Sequence, residues 1–248
     1  MTIPAWEELI ALPLKTTGWS LSLAESCTGG LVSHRVTNIP GSSDYYLGGV
    51  NAYTNEIKIR LLGVLPETLA TDGAVSEQTV REMALGAQRV FQSDVALSIS
   101  GIAGPGGGSP QKPVGTVWIG LAVRSDLSAT KFHFHGDRVS IKNQSAEMAL
   151  WLLYQALLDH IHVDQKEITS FLYHPITVNF SFTPASTPKI QSFVWQGKGH
   201  TVESHGRQWD DTLGRHFLVM DIRQKVYELI WTSSGCWYLH ARTEIPHA

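Results

Sequence analysis

Ser26 is the residue whose surroundings most resemble those of a catalytic nucleophile. It lies in residues 25–30, whose sequence ESCTGG follows an alternating apolar segment and precedes a helix-like one. Glycines let the backbone turn tightly and bring its N–H groups close to a ligand. The N-terminus of a following helix adds unpaired donors that suit a phosphate or a developing oxyanion. The pattern makes Ser26 a candidate nucleophile, although a turn of this kind before a helix is more often only a helix cap.

A rival nucleophile and a candidate base accompany the serine. Cys27 carries an intrinsically better nucleophile, but a small residue buried beside the turn is the commoner role. The chain contains no Gly-x-Ser-x-Gly sequence, so the α/β-hydrolase elbow is not indicated. Lys58 can act as the base because serine–lysine pairs work when the lysine is desolvated enough to be partly neutral. Tyr53 could relay a proton or hold this lysine; an ordinary solvated lysine on a helix is the alternative for Lys58.

Two further segments have the composition of ligand loops. Residues 100–108 (SGIAGPGGG) follow a buried strand, and their backbone donors could form an anion-binding nest. They lack the Gly-Lys-Ser/Thr ending of a P-loop, which excludes that ATPase motif; a flexible surface loop is the alternative. Arg138 follows a Gly-Asp turn and has a forked cation able to clamp a phosphate, or to form a surface pair with Asp137. His133 and His135 share a strand face, but no third ligand is near, so no metal site is predicted.

The elements that must position these residues alternate between helix and strand. Apolar periodicity predicts helices over residues 7–17, 30–36, 55–62, 76–91 and 143–161. It predicts strands over residues 19–24, 45–52, 94–99, 114–123 and 129–135. This alternation predicts a layered α/β domain.

The composition changes after residue 163. We predict a first domain over residues 1–163, a linker over 164–189, part of which alternates like a strand, and a small antiparallel β domain over 190–248. Its strands are predicted over residues 192–196, 216–221, 226–232 and 236–241. Turn signals separate them at Gly197, Gly199, Gly206, Gly214 and Gly235.

The overall composition is that of an ordinary globular protein. Hydrophobic residues make up 43% of the chain, charged residues 17%, and the net charge is -3, which indicates neither a nucleic-acid nor a membrane partner. Two distant cysteines exclude a disulfide framework and fit a reducing compartment. The start of the chain lacks signal-peptide features, and no apolar run approaches the roughly 18 residues needed to span a bilayer. A cytoplasmic protein is therefore predicted.

Taken together, the motifs resemble those of the CinA C-terminal family, the nicotinamide-nucleotide amidases. The matching segments stand in the family's order at residues 24–30, 53–58, 73–76, 98–105, 112–117 and 136–138. The resemblance covers about residues 5–160. It implies a three-layer α/β/α sandwich, a homo-oligomer, and hydrolysis of nicotinamide mononucleotide to nicotinic acid mononucleotide and ammonia in pyridine-nucleotide recycling. No metal or organic cofactor is implied.

The resemblance also assigns roles to residues. Ser26 is implied as the nucleophile, Lys58 as its general base and Tyr53 as the tyrosine that assists them. The residues implied to surround the substrate are Thr28, Gly29, Gly30, Asn55, Ser100, Gly101, Ala103, Gly104, Gly106 and Arg138.

Two departures from the family pattern leave other functions open. Longer members carry an N-terminal molybdopterin-binding-like domain, for which this chain is expected to start too late, and the module from about residue 190 is extra. The aromatic residues of that module favour a core over a binding face, and no role follows from them. A catalytically silent nucleotide-binding or scaffolding protein, or an amidase for another carboxamide, are the alternatives. The presence of Ser26, Tyr53 and Lys58 together favours the enzyme.

Overall fold

The computed structural model describes residues 5–161, 173–183, 187–195 and 197–240. These residues divide into two compact units, an α/β unit that ends with residue 161 and a β unit that begins at residue 173. No helix in these ranges is both long and apolar enough to cross a bilayer.

A mixed five-stranded sheet is the centre of the α/β unit, with strand order β2-β1-β3-β4-β5. Strand β1 is parallel to β2 and β3, whereas β4 and β5 are antiparallel to their neighbours. Every residue of β1 is buried, as expected of a central strand covered on both faces. The strands are β1 (Leu21–Glu25), β2 (Tyr46–Asn51), β3 (Val95–Gly101), β4 (Thr116–Val123) and β5 (Asp126–His133).

Helices cover the sheet, and the predicted three-layer α/β/α class is confirmed. Helix α6 packs on β3 and β4, and α7 contacts the same two strands as well as α1, α2 and α3. The helices are α1 (Trp6–Leu9), α2 (Ala11–Thr17), α3 (Leu31–Thr37), α4 (Asn55–Leu62), α5 (Pro66–Thr71), α6 (Glu77–Phe91) and α7 (Arg138–Ile161).

Gly86 sets the distance between α4 and α6. A Cβ atom at this position would lie 2.0 Å from the carbonyl oxygen of Leu62, the last residue of α4. A glycine inside a helix lowers the stability of the helix by about 1 kcal/mol relative to alanine, so we look for a packing reason for Gly86. The close approach provides that reason and fixes the position of α4, the helix that carries Lys58.

The sequence predictions for this unit differ from the structure mainly at element boundaries. Helix α7 begins at Arg138 rather than at residue 143, and the first predicted helix is divided at Ile10 into α1 and α2. The short helix α5 was not predicted; its only strong signal is Pro66 in its first turn.

The β unit is a closed six-stranded antiparallel barrel, with strand order β10-β11-β6-β7-β8-β9. A small antiparallel β module was predicted here, and the barrel agrees with it. Its core contains Ile176, Val178, Ile190, Phe193, Phe217, Val219, Leu229, Trp237 and Leu239. The strands are β6 (Tyr173–Phe182), β7 (Pro188–Trp195), β8 (Lys198–Asp210), β9 (Arg215–Asp221), β10 (Val226–Trp231) and β11 (Trp237–His240).

One prediction for the barrel is incomplete and one is wrong. Strand β6 lies inside the segment predicted as a linker, residues 164–189, part of which was expected to alternate like a strand; the barrel needs this strand to close between β11 and β7. Gly199 and Gly206, predicted as turns, lie within β8. The register of β8 against β9 shifts between His205 and Gln208, so Gly206 marks a bulge rather than a turn.

Candidate active site

Ser26 follows the last residue of β1, at the edge of the sheet where the parallel strands end. Its N–H donates to the carbonyl oxygen of Ile99 on β3 at 2.9 Å, which continues the sheet by one hydrogen bond past β1. The side chain is 8% exposed. Ligands commonly bind beyond the carboxyl ends of parallel strands, and Ser26 is placed there by the backbone itself.

Lys58 reaches Ser26 from the buried face of α4. Thr54 caps this helix by accepting the N–H of Ile57 at 3.3 Å, and Lys58 follows one turn later. Its Nζ donates to Ser26 Oγ at 3.1 Å and to the carbonyl oxygen of Ala52 at 2.7 Å. The structure therefore brings the predicted serine and lysine into direct contact, although 32 positions separate them in the sequence.

The charge state of Lys58 is set by burial without a counter-charge. The residue is 2% exposed and forms no ion pair with a carboxylate in the described ranges. Removal from water disfavours the ammonium, so the pKa of Lys58 is lowered from its ordinary value. A lysine amine with a lowered pKa, in hydrogen-bond contact with a serine hydroxyl, can take up that proton.

Cys27 is poorly suited to be the nucleophile. The side chain is 7% exposed, and burial raises the pKa of the thiol to about 12. The neighbouring carboxylate of Glu25 raises this pKa further. Because the thiolate is the reactive form, a thiol with such a pKa is inert near neutral pH.

Glu25 organises the turn, a role that the sequence analysis missed. Its carboxylate accepts the N–H groups of Gly30, Val32 and Ser33 at 2.9, 3.2 and 2.8 Å, and also the Ser33 hydroxyl at 2.8 Å. Glu25 thus ties the end of β1 to the start of α3 across Ser26. An acidic residue placed shortly before a predicted helix start is the signal that could have indicated it.

Ser26 and Lys58 line a cavity of about 210 Å³. Eight predicted site residues form its wall: Ser26, Tyr53, Asn55, Lys58, Ser100, Gly101, Ala103 and Arg138. Cys27, Ala74 and Val75 complete the lining. The last two belong to a segment matched in the family resemblance, residues 73–76, but were not predicted as site residues.

Five predicted substrate-binding residues lie outside this lining: Thr28, Gly29, Gly30, Gly104 and Gly106. Thr28 is fully buried, and the N–H of Gly30 is taken by Glu25. Gly104 acts through its carbonyl oxygen, which accepts Arg138 Nη1 at 2.7 Å. The glycines of the 28–30 turn therefore shape the backbone around Ser26 and do not line the cavity.

Tyr53 stands at the mouth of the cavity and contacts Arg138. The side chain is 62% exposed, and its hydroxyl accepts Arg138 Nη2 at 3.1 Å. In the described ranges this hydroxyl has no hydrogen bond to Ser26 or Lys58. Tyr53 is thus placed to hold the arginine rather than the catalytic pair.

Gly101 lies in a part of the cavity wall that leaves no space for a side chain. A Cβ atom there would be 2.6 Å from Val117 Cγ2 and 3.1 Å from Cys27 Sγ. Only glycine fits without movement of the wall. The lining contains two basic side chains, Lys58 and Arg138, and no acidic one, so the cavity favours a neutral or anionic ligand over a cationic one.

Comparisons with known proteins identify the same region of the chain. The CinA C-terminal domain family matches residues 4–157. A CinA-like protein of Thermotoga neapolitana is 50% identical over 144 residues, which are 58% of this chain and 35% of the relative. A CinA-like protein of Geobacter metallireducens is 50% identical over 151 residues, 61% of this chain and 37% of the relative. The matched part thus spans about a third of the length of these curated relatives.

Solved structures agree in fold and in extent. The competence/damage inducible protein CihA of Agrobacterium tumefaciens is 39% identical with a TM-score of 0.60, and the match covers 63% of this chain and 98% of that one. A competence-damaged protein (CinA) superfamily protein from Enterobacter cloacae is 36% identical with a TM-score of 0.61, covering 63% and 94%. The chain belongs to the CinA C-terminal domain family.

Proposed function

We propose that the α/β unit is an amidohydrolase that deamidates nicotinamide mononucleotide to nicotinic acid mononucleotide and ammonia. The observation that carries the proposal is the 3.1 Å contact between Lys58 Nζ and Ser26 Oγ, made by a lysine that is 2% exposed and has a lowered pKa. A purely structural buried lysine would be expected to have a carboxylate partner. Here its partners are a hydroxyl and a backbone carbonyl.

The first half-reaction forms an ester. Neutral Lys58 accepts the Ser26 proton while Oγ attacks the carboxamide carbon, and the carbonyl oxygen becomes an oxyanion. Lys58 then gives this proton to the amide nitrogen as the C–N bond breaks. Ammonia leaves, and the nicotinoyl group remains on Ser26 as an ester.

The turn around Ser26 supplies candidate donors for the oxyanion. The N–H groups of Cys27 and Thr28 face the Cys27 sulfur, a weak acceptor, and donate to no oxygen atom in the described ranges, in contrast to those of Ser26 and Gly30. Preorganised N–H donors that stabilise a developing oxyanion are each worth about 10²–10³-fold in rate. The donors expected at the N-terminus of α3 do not serve here because Glu25 occupies them.

The second half-reaction uses water. Lys58, neutral again after ammonia has left with the proton, removes a proton from water, which attacks the ester carbon. The C–Oγ bond breaks, and Lys58 returns the proton to Ser26. The net change is addition of water to the amide, giving the acid and ammonia. The family resemblance further supports a place in pyridine-nucleotide recycling, in the cytoplasm, for a homo-oligomeric enzyme.

The proposal is tested by incubating the purified full chain with nicotinamide mononucleotide and measuring ammonia and nicotinic acid mononucleotide in equal amounts. Nicotinamide and nicotinamide riboside are run in parallel to identify an amidase for another carboxamide. Binding of the mononucleotide without release of ammonia would instead identify a catalytically silent nucleotide-binding protein.

A further inference from the structure

The place that the leaving ammonia vacates lies beside Lys58. In the proposed reaction Lys58 Nζ gives a proton to the amide nitrogen, so this nitrogen must come within hydrogen-bond reach of Nζ as the C–N bond breaks. The attacking water must stand in the same place, because it gives its proton to the same Nζ. The acyl group on Ser26 is therefore attacked from a position that has just held a small amine.

A backbone carbonyl group fixes the direction of the Lys58 amine. Nζ lies 2.7 Å from the carbonyl oxygen of Ala52 and 3.1 Å from Ser26 Oγ. In the neutral amine one N–H is directed to the carbonyl oxygen, and the lone pair is left to accept the hydroxyl proton of Ser26. Once Ser26 carries the acyl group this proton is gone. The lone pair can then accept a proton from any small O–H or N–H nucleophile beside the ester.

The charges around the cavity select which amines can take this place. The lining includes Lys58 and Arg138 but no aspartate or glutamate, so none of its side chains would neutralise an ammonium ion. The Glu25 carboxylate accepts four hydrogen bonds at the start of α3 and is not part of the lining. An ammonium ion also has no lone pair with which to attack a carbonyl carbon. The cavity therefore favours amines that are neutral in solution.

We propose that the acyl group on Ser26 is transferred to small neutral amines as well as to water, so that the α/β unit exchanges amides besides hydrolysing them. This inference rests on the proposed function, since it requires the Ser26 ester. With hydroxylamine, the nitrogen lone pair forms the new C–N bond, Lys58 takes a proton from this nitrogen, the C–Oγ bond breaks, and the proton passes to Oγ. The products are the hydroxamate of the mononucleotide and free Ser26, and nothing is oxidised or reduced.

Methylamine tests the selection against charge. Its ammonium ion titrates near about pH 10, as a lysine side chain does, so its neutral fraction rises about 100-fold between pH 7 and pH 9. With the full chain, nicotinamide mononucleotide and a fixed total concentration of methylamine, we expect the ratio of N-methylamide to nicotinic acid mononucleotide to rise by about the same factor. A ratio that does not change with pH would mean that the cavity accepts the cation, and would overturn the selection for neutral amines.

Hydroxylamine, which is mostly neutral at pH 7, tests the transfer itself. The full chain is incubated with nicotinamide mononucleotide and increasing hydroxylamine, and ammonia, nicotinic acid mononucleotide and the hydroxamate are measured. We expect the ratio of hydroxamate to acid to rise in proportion to the hydroxylamine concentration, with ammonia equal to the sum of the two products. Ser26→Ala should form neither product, whereas Cys27→Ser should keep the wild-type ratio, which places the ester on Ser26.

The same assay separates this inference from the proposed reaction. Ammonia and nicotinic acid mononucleotide formed in equal amounts, with no hydroxamate at any hydroxylamine concentration, would overturn the transfer and leave the amidase standing. Absence of ammonia and of both products would overturn the proposed function, and the transfer with it. Hydroxamate that is formed equally by Ser26→Ala would show that the acyl group was never on this serine, and would likewise overturn the inference.

Discussion

Two buried sites with ionisable side chains, one in each unit, are built in opposite ways. In the α/β unit Lys58 meets a hydroxyl and a carbonyl oxygen, and no carboxylate. In the barrel His216 Nδ1 lies 2.8 Å from Glu228 Oε1 and its Nε2 lies 2.8 Å from Asp211 Oδ1. His240 Nδ1 lies 3.0 Å from the other oxygen of Glu228. The buried amine of Lys58 therefore has no carboxylate beside it, whereas each histidine of the barrel cluster lies beside at least one carboxylate.

This difference separates a site for chemistry from a site for stability. Burial without a neighbouring anion lowers the pKa of Lys58, so that its neutral amine can act as a base toward the neighbouring hydroxyl. Carboxylates with hydrogen-bond donors remain ionised even when buried. Burial alone would raise the pKa of Asp221, but hydrogen bonds from His200 and from the N–H groups of Lys225 and Arg223 outweigh it and lower that pKa. Asp221 and its donors are therefore expected to hold the strands of the barrel together and not to transfer protons.

The largest effect is expected at Ser26. Ser26→Ala removes the nucleophile and should reduce kcat for deamidation by about 10⁴-fold or more, whereas Cys27→Ser should keep most of the activity. Ammonia release measures both variants. Circular dichroism checks that Ser26→Ala remains folded. If Ser26→Ala were active and Cys27→Ser inactive, the nucleophile would be the Cys27 thiol instead of the Ser26 hydroxyl.

Lys58→Met should cost about 10²–10⁴-fold in kcat, the usual loss of a general base. In the wild type kcat/KM should rise with pH, because the neutral amine is the active form, and level off below the ordinary lysine pKa of 10.5 since burial lowers this pKa. The variant should lose the pH dependence due to this group. A pH profile from 5 to 10 measures both, and near-normal activity of Lys58→Met would exclude it as the base.

In the barrel, Glu228→Gln should act on stability alone. Removing the carboxylate takes the hydrogen-bond partner from His216 Nδ1 and His240 Nδ1 and leaves His216 with Asp211 alone, and the loss of a buried hydrogen-bond partner typically costs about 1–3 kcal/mol of unfolding free energy. Hydrogen exchange of β9–β11 peptides in the full chain measures the loss, with Glu203→Gln, an exposed acid of β8, as the control. Ammonia release is expected to stay unchanged. Equal protection in Glu228→Gln and Glu203→Gln would mean that the cluster contributes nothing.

Helices and strands could be predicted from the sequence better than contacts between side chains, because the former depend on local patterns and the latter on tertiary packing. Helix α6 and strand β3 are encoded by local apolar periodicity, which a single sequence displays. The approach of Lys58 to Ser26 depends on β1 lying beside β2 and on Gly86 bringing α6 close to α4, neither of which is local. The pairing of Ser26 with Lys58 was predicted from the family's motifs, since the spacing of the two residues in the sequence does not indicate it.

The orientation of side chains was the part that no pattern in the sequence contained. Tyr53 was predicted to relay a proton or to hold Lys58; it lines the same cavity as the catalytic pair, and its hydroxyl accepts a hydrogen bond from Arg138. The N-terminus of α3 was predicted to be open to a ligand, but Glu25 closes it. In the barrel, β6 is a strand because it pairs with β11 and β7, and β8 continues through Gly206 by means of a bulge against β9. Both features depend on pairing partners, some of them distant in sequence.

The smallest expected effect is the loss of barrel stability at acidic pH, which the α/β unit is not expected to share. The pKa of Asp221 is lowered in the folded barrel, so its hydrogen bonds contribute stability at pH values above the ordinary value of 3.8 and lose it as the pH falls through the lowered pKa. The protection factors of β9 peptides, which are exchange rates corrected for the intrinsic pH dependence of amide exchange, should therefore fall below about pH 4 in the wild type. Asp221→Asn should exchange faster at pH 6 already and show a weaker change on acidification. Since Lys58 has no carboxylate partner among the described residues, peptides of α4 should not share the component that Asp221→Asn removes, and a common loss in both units would show that the acid transition does not arise from the barrel's carboxylates.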